Sequence, residues 1–351
     1  MRVKTLKVRV RDKHAKMLSE QARAVNYVWN YINDLSEKSI RQRGQFLSAF
    51  DLHPYTKGSG KELGLHSQTL QCIASEYVAR RRQFKKSRLR WRSSFGSRKS
   101  LGWIPINTGV AKWRNGQVYY NGSFFKVWDS YNLGQYKFKT ASFNEDSRGR
   151  WYFNVTVEVV DQPSMGQDRI GIDLGLKTIA TCSDGTELSG SWFRDYEDKL
   201  AIAQRAKKKN RVKAIHAKIR NKRNDALHKF SSKLISRCGE IYVGNVSSSK
   251  LAKTKMAKSV FDAGWFSLKT MLKYKSDHAC IVYKEINEAY TTVTCSTCSA
   301  RSGPSGLKGL RIRQWDCAEC GAQNERDVNA AQNILNAALG HERLGEGIPA
   351  L

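Results

Sequence analysis

The sequence lacks any apolar run of the roughly 20 residues that a membrane-spanning helix needs, which excludes a protein that crosses a bilayer. Residues 1–11 alternate charged side chains with Val and Leu, so the chain does not open with the continuous apolar stretch of a secretory signal peptide. Four cysteines stand singly among other residues, which is typical of a reducing compartment. We therefore expect a cytoplasmic protein. These single cysteines are Cys72, Cys182, Cys238 and Cys280.

Acidic residues are also scarce. The chain has 31 Asp and Glu against 61 Lys and Arg, a formal net charge of +30 over 351 residues. Charge of this size attracts polyanions and releases counterions from phosphate backbones, which favours nucleic acid as the partner. A merely soluble basic protein or an anionic membrane surface is the alternative, but no basic helix with a bulky apolar face stands out. A hydrophobic content of 40% is enough for two or three cores.

Two cysteine pairs near the C-terminus indicate a metal site. Cys295-Ser-Thr-Cys298 and Cys317-Ala-Glu-Cys320 are separated by an 18-residue spacer, a spacing typical of a four-cysteine zinc ribbon. Two disulfides, or four unrelated thiols, are the alternatives. A zinc ion with four thiolate ligands has no open position for a substrate, so we expect a structural ion and look elsewhere for chemistry.

The first half of the chain predicts strands interrupted by helices. Residues 6–11 alternate as a half-buried strand does, whereas apolar residues recur at helical spacing within 13–95. Short aromatic strands follow from about Trp103, and Asn121-Gly122 is typical of a type I′ hairpin turn. We expect a small β-barrel interrupted by a helical, cationic insertion. Its aromatic side chains either pack in the core, which the alternation favours, or stack on bases.

Asp173 is the first candidate for chemistry. It ends an apolar strand, Ile170-Gly-Ile-Asp173, and a glycine-bearing turn follows it before a second strand and an Asp184-Gly hairpin turn. A carboxylate on a central strand must be paired or bound to a metal to offset its desolvation, which favours a metal ligand. A capping or turn role is the alternative.

A basic stretch from Asp195 to Arg237 predicts one long helix, with Gly239 as its C-terminal stop. Such a charge run is either a solvated face or a surface that follows a phosphate backbone. We expect the second role for this stretch and for the basic tract that begins at Arg80. The candidate nucleic-acid-binding residues are Lys207, Lys208, Lys209, Arg211, Arg80, Arg81 and Arg82.

Five features together resemble the transposon-encoded TnpB proteins, compact relatives of the type V CRISPR effectors. They are Gly-Ile-Asp173-Leu-Gly, Asp262-Ala-Gly-Trp265, Tyr290-Thr-Thr, the four-cysteine ribbon and Arg326-Asp327-Val-Asn-Ala-Ala. The resemblance spans residues 1–340 and implies an α/β plus β-barrel architecture. Its parts are a wedge β-barrel (1–12 and 96–165), a helical recognition lobe (13–95), an RNase H-like RuvC nuclease domain (166–290 and 323–340), the zinc ribbon (291–322) and a disordered tail (341–351).

The resemblance also implies the partners. They are a guide RNA transcribed from the transposon end and a double-stranded target DNA that is recognised by base pairing beside a short motif read by protein. No protein oligomer is required, and such a protein is prokaryotic and joins the nucleoid when it binds DNA. The large positive charge would then neutralise RNA and the heteroduplex.

The implied nuclease site needs three carboxylates that hold two Mg²⁺ ions. By resemblance Asp173 is the first and Asp327 is the last, but Gly244 stands where the family has a Glu. Glu288 is the best replacement because it follows a strand that neighbours the Gly244 strand, about 4.8 Å away. Glu240 lies about 13 Å up its strand from Gly244, and Glu285 is expected to point to the opposite face. The alternative for Glu288 is a solvated turn residue.

Two readings of function remain open at this point. The leading hypothesis is an RNA-guided DNA endonuclease that uses Asp173, Glu288 and Asp327. The alternative is a nuclease-inactive, RNA-guided DNA-binding protein that acts as a repressor. A recombinase is disfavoured because nothing resembles a Tyr or Ser nucleophile. Arg326 and Asn329, on either side of Asp327, are expected either to contact phosphate or to brace the carboxylates. A salt bridge with a neighbouring acid is the alternative for Arg326.

Overall fold

A computed structural model describes residues 2–246, 257–309 and 311–340. The predicted tail, residues 341–351, lies outside this range. The chain divides into two compact units, Met1–Val160 and Asp161–Leu351. No helix among the described residues is long and apolar enough to cross a membrane.

The helices of the first unit are amphipathic. In the longest of them, Leu18, Val25 and Ile32 recur every seven residues and are buried, which places one apolar face against the core. The Ser48 hydroxyl and the Asp51 carboxylate form a capping box that begins the second helix. The helices are α1 (Ala15–Arg43), α2 (Ala49–Thr56), α3 (Ser59–Glu62) and α4 (Ser67–Phe84).

Two antiparallel sheets complete the first unit and share one hydrophobic core with these helices. The hydrogen-bonded orders are β2-β7-β8-β1-β6 and β3-β4-β5, so the strands expected to form a barrel are arranged as two sheets. The predicted type I′ turn is confirmed, because Asn121 and Gly122 both have positive φ, 47° and 76°. The strands are β1 (Arg2–Val10), β2 (Trp103–Ile106), β3 (Lys112–Arg114), β4 (Gln117–Tyr120), β5 (Ser123–Phe125), β6 (Val127–Trp128), β7 (Phe138–Glu145) and β8 (Trp151–Val159).

A five-stranded mixed sheet forms the centre of the second unit, in the order β11-β10-β9-β12-β13. The pairs β9–β10 and β10–β11 are antiparallel, whereas β9–β12 and β12–β13 are parallel. The carboxyl ends of three parallel strands therefore meet at one edge of the sheet. The strands are β9 (Asp168–Asp173), β10 (Thr178–Cys182), β11 (Glu187–Ser189), β12 (Cys238–Gly244) and β13 (Val282–Ile286).

The single long helix predicted from residue 195 to residue 237 is wrong. Two helices, α5 (Glu197–Arg205) and α6 (Lys209–Arg237), are separated by a turn in which Lys207 has a φ of 51°. Gly239 does not stop α6 either, because β12 begins at Cys238 and already includes this glycine. Two further helices, α7 (Ala257–Ala263) and α8 (Trp265–Ala279), precede β13.

The ribbon lies between β13 and the last helix. It contains α9 (Gly306–Gly309) and the antiparallel pair β14 (Gln314–Asp316) and β15 (Gln323–Glu325). The last helix, α10 (Arg326–Ala338), then packs on β9. It approaches so closely at Gly171 that a Cβ on this residue would lie 2.0 Å from the Ala331 carbonyl oxygen. Only glycine allows this contact.

Candidate carboxylate and thiolate metal centres

Three strands bring Asp173, Gly244 and Glu288 to one edge of the sheet. Asp173 is the last residue of β9, and Gly244 is the last residue of β12. The register pairs Val243 with Ile172 on one side, and Gly244 with Ile286 on the other. The residues that follow Ile172 and Ile286 therefore lie at the same end of the sheet as Gly244.

The Glu288 side chain lies over Gly244, as the sequence predicted. A Cβ built on Gly244 would be 2.7 Å from Glu288 Oε2 and 3.5 Å from Glu288 Cβ. Any side chain at position 244 would therefore displace the Glu288 carboxylate. This carboxylate occupies the space that a Cβ at position 244 would need.

Asp327 enters the same region from the N-terminal turn of α10. Its carboxylate is mostly buried, with 16% of the side chain exposed, and Arg313 Nη1 donates to both of its oxygens at 2.8 Å. This ion pair was not predictable from sequence, because the fold of the ribbon brings Arg313 next to Asp327. In this arrangement a guanidinium supplies the positive charge beside one candidate metal ligand.

The electrostatics show that Asp173, Glu288 and Asp327 are close together. Burial, followed by the nearby charges of Asp327 and Glu288, raises the pKa of Asp173 to about 7. Burial also raises the pKa of Glu288, although Lys269 and the backbone at Val246 act in the opposite direction. A divalent cation beside Asp173 would favour the ionised form of this carboxylate, which burial and the two neighbouring acids disfavour.

The donor set fits Mg²⁺, which prefers carboxylate oxygen. Among the described residues, only the four cysteines bring three or more candidate ligand atoms within 4.8 Å of one another, so the three carboxylates are less closely grouped than the thiols.

The other two glutamates considered from sequence are engaged elsewhere. Glu240 lies near the start of β12, where it accepts a hydrogen bond from the Tyr242 hydroxyl at 2.6 Å and pairs with Arg169 at 3.2 Å. Glu285 pairs with Lys269 at 2.7 Å. Neither carboxylate is among the charges that act on Asp173. Glu288 is therefore the candidate that remains for the third acid.

The two cysteine pairs converge. Cys295 Sγ is 3.8 Å from Cys320 Sγ, and Cys298 Sγ is 3.6 Å from Cys317 Sγ. The hydroxyl of Ser302, together with backbone N–H groups of the second pair, lowers the pKa of Cys317 to about 6. All four thiols lie within 4.8 Å of one another, and this cluster could hold zinc.

The predicted nucleic-acid-binding residues divide by exposure. Arg80 and Arg82 are exposed, and Arg80 pairs with Glu76. Arg81 is buried, where it donates to the Ser36 hydroxyl and to the Leu47 carbonyl oxygen, so it stabilises the helices of the first unit and does not form part of their surface. The basic residues of the α5–α6 region are all exposed. They are Lys207, Lys208, Lys209 and Arg211.

Arg326 is 8% exposed and donates to the Gly309 carbonyl oxygen at 2.6 Å. Asn329 is 1% exposed and bonds to the backbone of the ribbon. Both side chains therefore bond to the backbone of the ribbon, and neither hydrogen-bonds a carboxylate of the site among the described residues. Contact with a phosphate and bracing of the carboxylates stay predictions, and Arg326 forms no salt bridge with an acid in the described part of the chain.

Sequence reasoning missed a set of arginine–aromatic contacts on the first unit. Arg11 lies 3.2 Å from the ring centre of Trp128, and Arg23 lies 4.9 Å from that of Phe95. Trp128 is 52% exposed and Phe95 is 68% exposed. Exposed aromatic rings that are stacked with arginine are typical of surfaces that bind unpaired bases. The available signal was the mixture of aromatic and basic residues around position 91.

Two family models match the second unit and its boundary. The model OrfB_IS605, described as "Probable transposase", matches residues 152–255. The Cas12f1-like TNB domain matches residues 265–334, a range that includes the ribbon, Glu288 and Asp327.

Named relatives point the same way. The chain is 28% identical over 301 residues to a "Putative RNA-guided DNA endonuclease" of Streptomyces pristinaespiralis, covering 80% of this chain and 71% of the relative. It is 28% identical over 232 residues to "Putative RNA-guided DNA endonuclease InsQ" of Escherichia coli, covering 57% and 56%. A mimivirus "TnpB-like protein L79" is 25% identical over 231 residues, covering 57% of this chain and 44% of the relative.

Among solved structures, the Cas12f1 protein of a complex with single-guide RNA and target DNA shares the fold. Its TM-score is 0.61 at 12% sequence identity, with 96% of this chain and 99% of that chain covered. The predicted resemblance to the TnpB proteins and to type V effectors is thus confirmed by the family models, the relatives and the fold.

Proposed function

We propose that this protein is an RNA-guided DNA endonuclease whose carboxylate site uses Glu288 in place of the glutamate that the family has at position 244. One observation carries the proposal. The Glu288 carboxylate lies in the space that the missing Cβ of Gly244 leaves, beside Asp173 and Asp327. Three half-buried acids close together are an unfavourable arrangement in a protein with no use for a divalent cation.

Asp173, Glu288 and Asp327 would hold two Mg²⁺ ions, which activate the attacking water and stabilise the departing 3′ oxygen when they are bound. The charges of Asp327 and Glu288 both act on Asp173, which supports Asp173 as a ligand of the same site as the other two acids. Arg313 donates to both oxygens of Asp327 and can orient this carboxylate or turn toward a phosphate. Gly244 serves the site by leaving room.

The partners follow from the relatives and the charge. Two relatives are named RNA-guided DNA endonucleases, and the Cas12f1 structure holds single-guide RNA and target DNA. The +30 charge of this chain suits two nucleic-acid ligands. We propose a guide RNA from the transposon end and a double-stranded target beside a short adjacent motif, with Lys207, Lys208, Lys209 and Arg211 on the phosphate backbone.

The domain roles are part of the proposal. The mixed sheet with Asp173 on its central strand supports an RNase H-like, RuvC-type nuclease domain in residues 166–290 and 323–340. Residues 291–322 would form a ribbon that binds one structural zinc ion. The sheets and helices of the first unit support the wedge and recognition roles.

A guided binder that does not cut is the second candidate. The observation in its favour is Gly244 itself, since a glycine supplies no ligand at this position. The two candidates share every nucleic-acid contact, so only chemistry at the carboxylates separates them.

The test begins with protein purified together with its co-expressed RNA, which is sequenced to define the guide. The complex is then incubated with matched and mismatched duplex DNA and with Mg²⁺. We expect cutting of matched DNA only, and loss of cutting without loss of binding in Glu288→Gln. Glu285→Gln, on β13 three residues before Glu288, is the matched control and should cut normally. A wild-type complex that binds matched DNA but never nicks it supports the binder.

A further inference from the structure

A row of amide side chains on α10 contacts the first cysteine knuckle of the ribbon. Asn329 Oδ1 accepts a hydrogen bond from the Ser296 backbone N–H at 2.8 Å, and its Nδ2 donates to the Thr294 carbonyl oxygen at 2.7 Å. Asn333 Nδ2 donates to the same Thr294 oxygen at 2.7 Å and to the Thr291 oxygen at 2.9 Å. Cys295, a thiolate of the cluster, stands between Thr294 and Ser296. The backbone on both sides of this thiolate is therefore fixed by α10.

The hydrogen bonds that Asn329 donates are shielded from water. Asn329 is 1% exposed, Thr291 is 4% exposed and Thr294 is 5% exposed, whereas Asn333 is half-buried. A buried polar group that loses its partner cannot recover a hydrogen bond from solvent, so the contacts hold the knuckle and the helix in one relative position. The neighbouring amides extend the row, since Gln332 accepts from the Ser296 hydroxyl at 2.7 Å.

Both ends of this row lead to a carboxylate of the candidate nuclease site. Asp327 lies two residues before Asn329 on α10, in the same helical turn. On the other side, Thr291 donates from its backbone N–H and from its hydroxyl to the Glu288 carbonyl oxygen, at 3.3 Å and 2.9 Å. A shift of the knuckle would therefore move Glu288 and Asp327 relative to each other.

Resting on the proposed function, we propose that Asn333 and Asn329 are positioning residues that couple the thiolate centre to the carboxylate centre. The order that zinc imposes on the knuckle is transmitted through the two amides to Glu288 and Asp327, so that metal bound at the four thiols strengthens divalent-ion binding at the acids. Coupling between two binding sites is reciprocal, so ions at the carboxylates strengthen zinc binding by the same factor. The ribbon is then a part of the nuclease site and more than a stabilising lobe.

The test uses the full chain, freed of RNA at high salt, and Mn²⁺ as the probe of the carboxylates by electron paramagnetic resonance. Asn333→Asp replaces the two donated hydrogens by an acceptor that repels the Thr291 and Thr294 oxygens. We expect this variant to retain its zinc but to bind Mn²⁺ at least about fivefold more weakly, the low end of coupling between linked sites. Asn336→Asp makes the same charge change one turn further along α10, where the wild-type side chain has one 3.3 Å hydrogen bond to the Ser296 oxygen. It should bind Mn²⁺ almost as the wild type does.

Reciprocity provides the second measurement. Zinc affinity is measured by competition with a chromophoric chelator that ignores magnesium, with and without saturating Mg²⁺. The wild type should bind zinc more tightly with Mg²⁺ present, and Asn333→Asp should lose this difference. A general loss of stability would weaken zinc binding in both conditions alike, which separates positioning from a merely structural role.

The outcomes also separate this proposal from the proposed function. Mn²⁺ binding that requires Glu288 but does not depend on Asn333 or on zinc overturns the coupling alone. If the Glu288→Gln variant binds Mn²⁺ as the wild type does, the carboxylate site itself is contradicted, and the coupling fails with it.

Discussion

At the scale of the residue, the position of the third carboxylate is decided by space. Parallel β12 and β13 are paired so that Gly244 faces Ile286, and Glu288 is two residues further along. A methyl group at position 244 would lie 2.7 Å from Glu288 Oε2, so the carboxylate of this loop glutamate keeps its present position only beside a residue without a side chain. The position of the Glu288 carboxylate therefore depends on the glycine at position 244, and a substitution at either residue affects the other.

This pairing predicts that the carboxylate can be moved back to the strand. In the double variant Gly244→Glu with Glu288→Ala, the acid belongs to β12 and the loop side chain no longer competes for the space. We expect cleavage of matched DNA to return from background to within about tenfold of the wild type, measured with the guided complex and Mg²⁺. Each tenfold step corresponds to about 1.4 kcal/mol of transition-state stabilisation.

The single variants are the controls for this test. Glu288→Ala alone should be inactive, and Gly244→Ala alone should lose activity because its methyl group displaces the Glu288 carboxylate. If Glu288→Ala cuts DNA as well as the wild type, Glu288 is a turn residue and the assignment is wrong.

Asp173 predicts a pH dependence of stability. Its pKa in the folded protein is about 7, above the ordinary value of 3.8, because burial and the charges of Asp327 and Glu288 disfavour the ionised form. The folded state thus holds a proton that the unfolded state releases, so stability without Mg²⁺ falls as pH rises from about 4 to 7. Asp173→Asn cannot ionise. Its thermal midpoint should exceed that of the wild type by an amount that grows over this pH range and then levels off, and added Mg²⁺ should reduce the difference. If the difference in thermal midpoint between Asp173→Asn and the wild type is the same at pH 5 and at pH 8, the raised pKa of Asp173 is contradicted.

At the scale of the element, α10 delivers Asp327 because it can approach β9 at Gly171. The contact involves backbone on both sides, since a Cβ on Gly171 would lie 2.0 Å from the Ala331 carbonyl oxygen and 2.8 Å from the Leu335 nitrogen. Backbone cannot rotate aside as the end of a side chain can. An added methyl group must therefore push the helix away from the sheet.

We predict that Gly171→Ala lowers the free energy of unfolding by about 1 to 3 kcal/mol, the usual effect of overpacking. The shift of α10 should also lower the affinity for Mg²⁺, measured as the ion concentration at half-maximal cleavage. Gly239→Ala is the matched control, because its methyl group would lie 3.1 Å from the Gly166 carbonyl oxygen, a milder contact. If the two variants behave alike, the close approach at Gly171 does not position Asp327.

Sequence reasoning succeeded for elements whose signals are local. The positions of Asp173 at a strand end and Asp327 at a helix start follow from apolar periodicity, and the convergence of the cysteines follows from their spacing. The reach of Glu288 to Gly244 was predictable because neighbouring strands have a fixed separation.

Sequence reasoning failed where distant segments pack together and where one helix ends and another begins within a polar stretch. The stretch from residue 195 to residue 237 contains no Gly or Pro, so nothing local marks the turn at Lys207. The burial of Arg81 and the bonds of Arg313 and Asn333 depend on the packing of distant segments. Their side chains are polar, and sequence alone favours the surface for such residues.

At the scale of the whole molecule, the charge is the dominant property. A net charge of +30 repels itself in the free protein and would be neutralised by the proposed guide RNA, so much of the free energy of binding should come from released counterions. This contribution depends on salt and hardly at all on sequence. In the proposed nuclease, recognition of a particular target would therefore come from base pairing, with the protein supplying the shape and the reaction.

Salt dependence can test which lysines contact phosphate. Substituting Gln for Lys207, Lys208 and Lys209 should reduce the slope of log affinity against log salt by about 0.7 to 0.9 for each lysine on a phosphate, so by about 2 to 3 in all. The control replaces the exposed Lys229, Lys273 and Lys284 by Gln, which removes the same charge from other faces of the second unit. Filter-binding titrations of guide RNA from low to high salt measure both slopes. If the two triple variants lose equal slope, the turn between α5 and α6 contributes only to the general field, and its assignment as a backbone-binding surface fails.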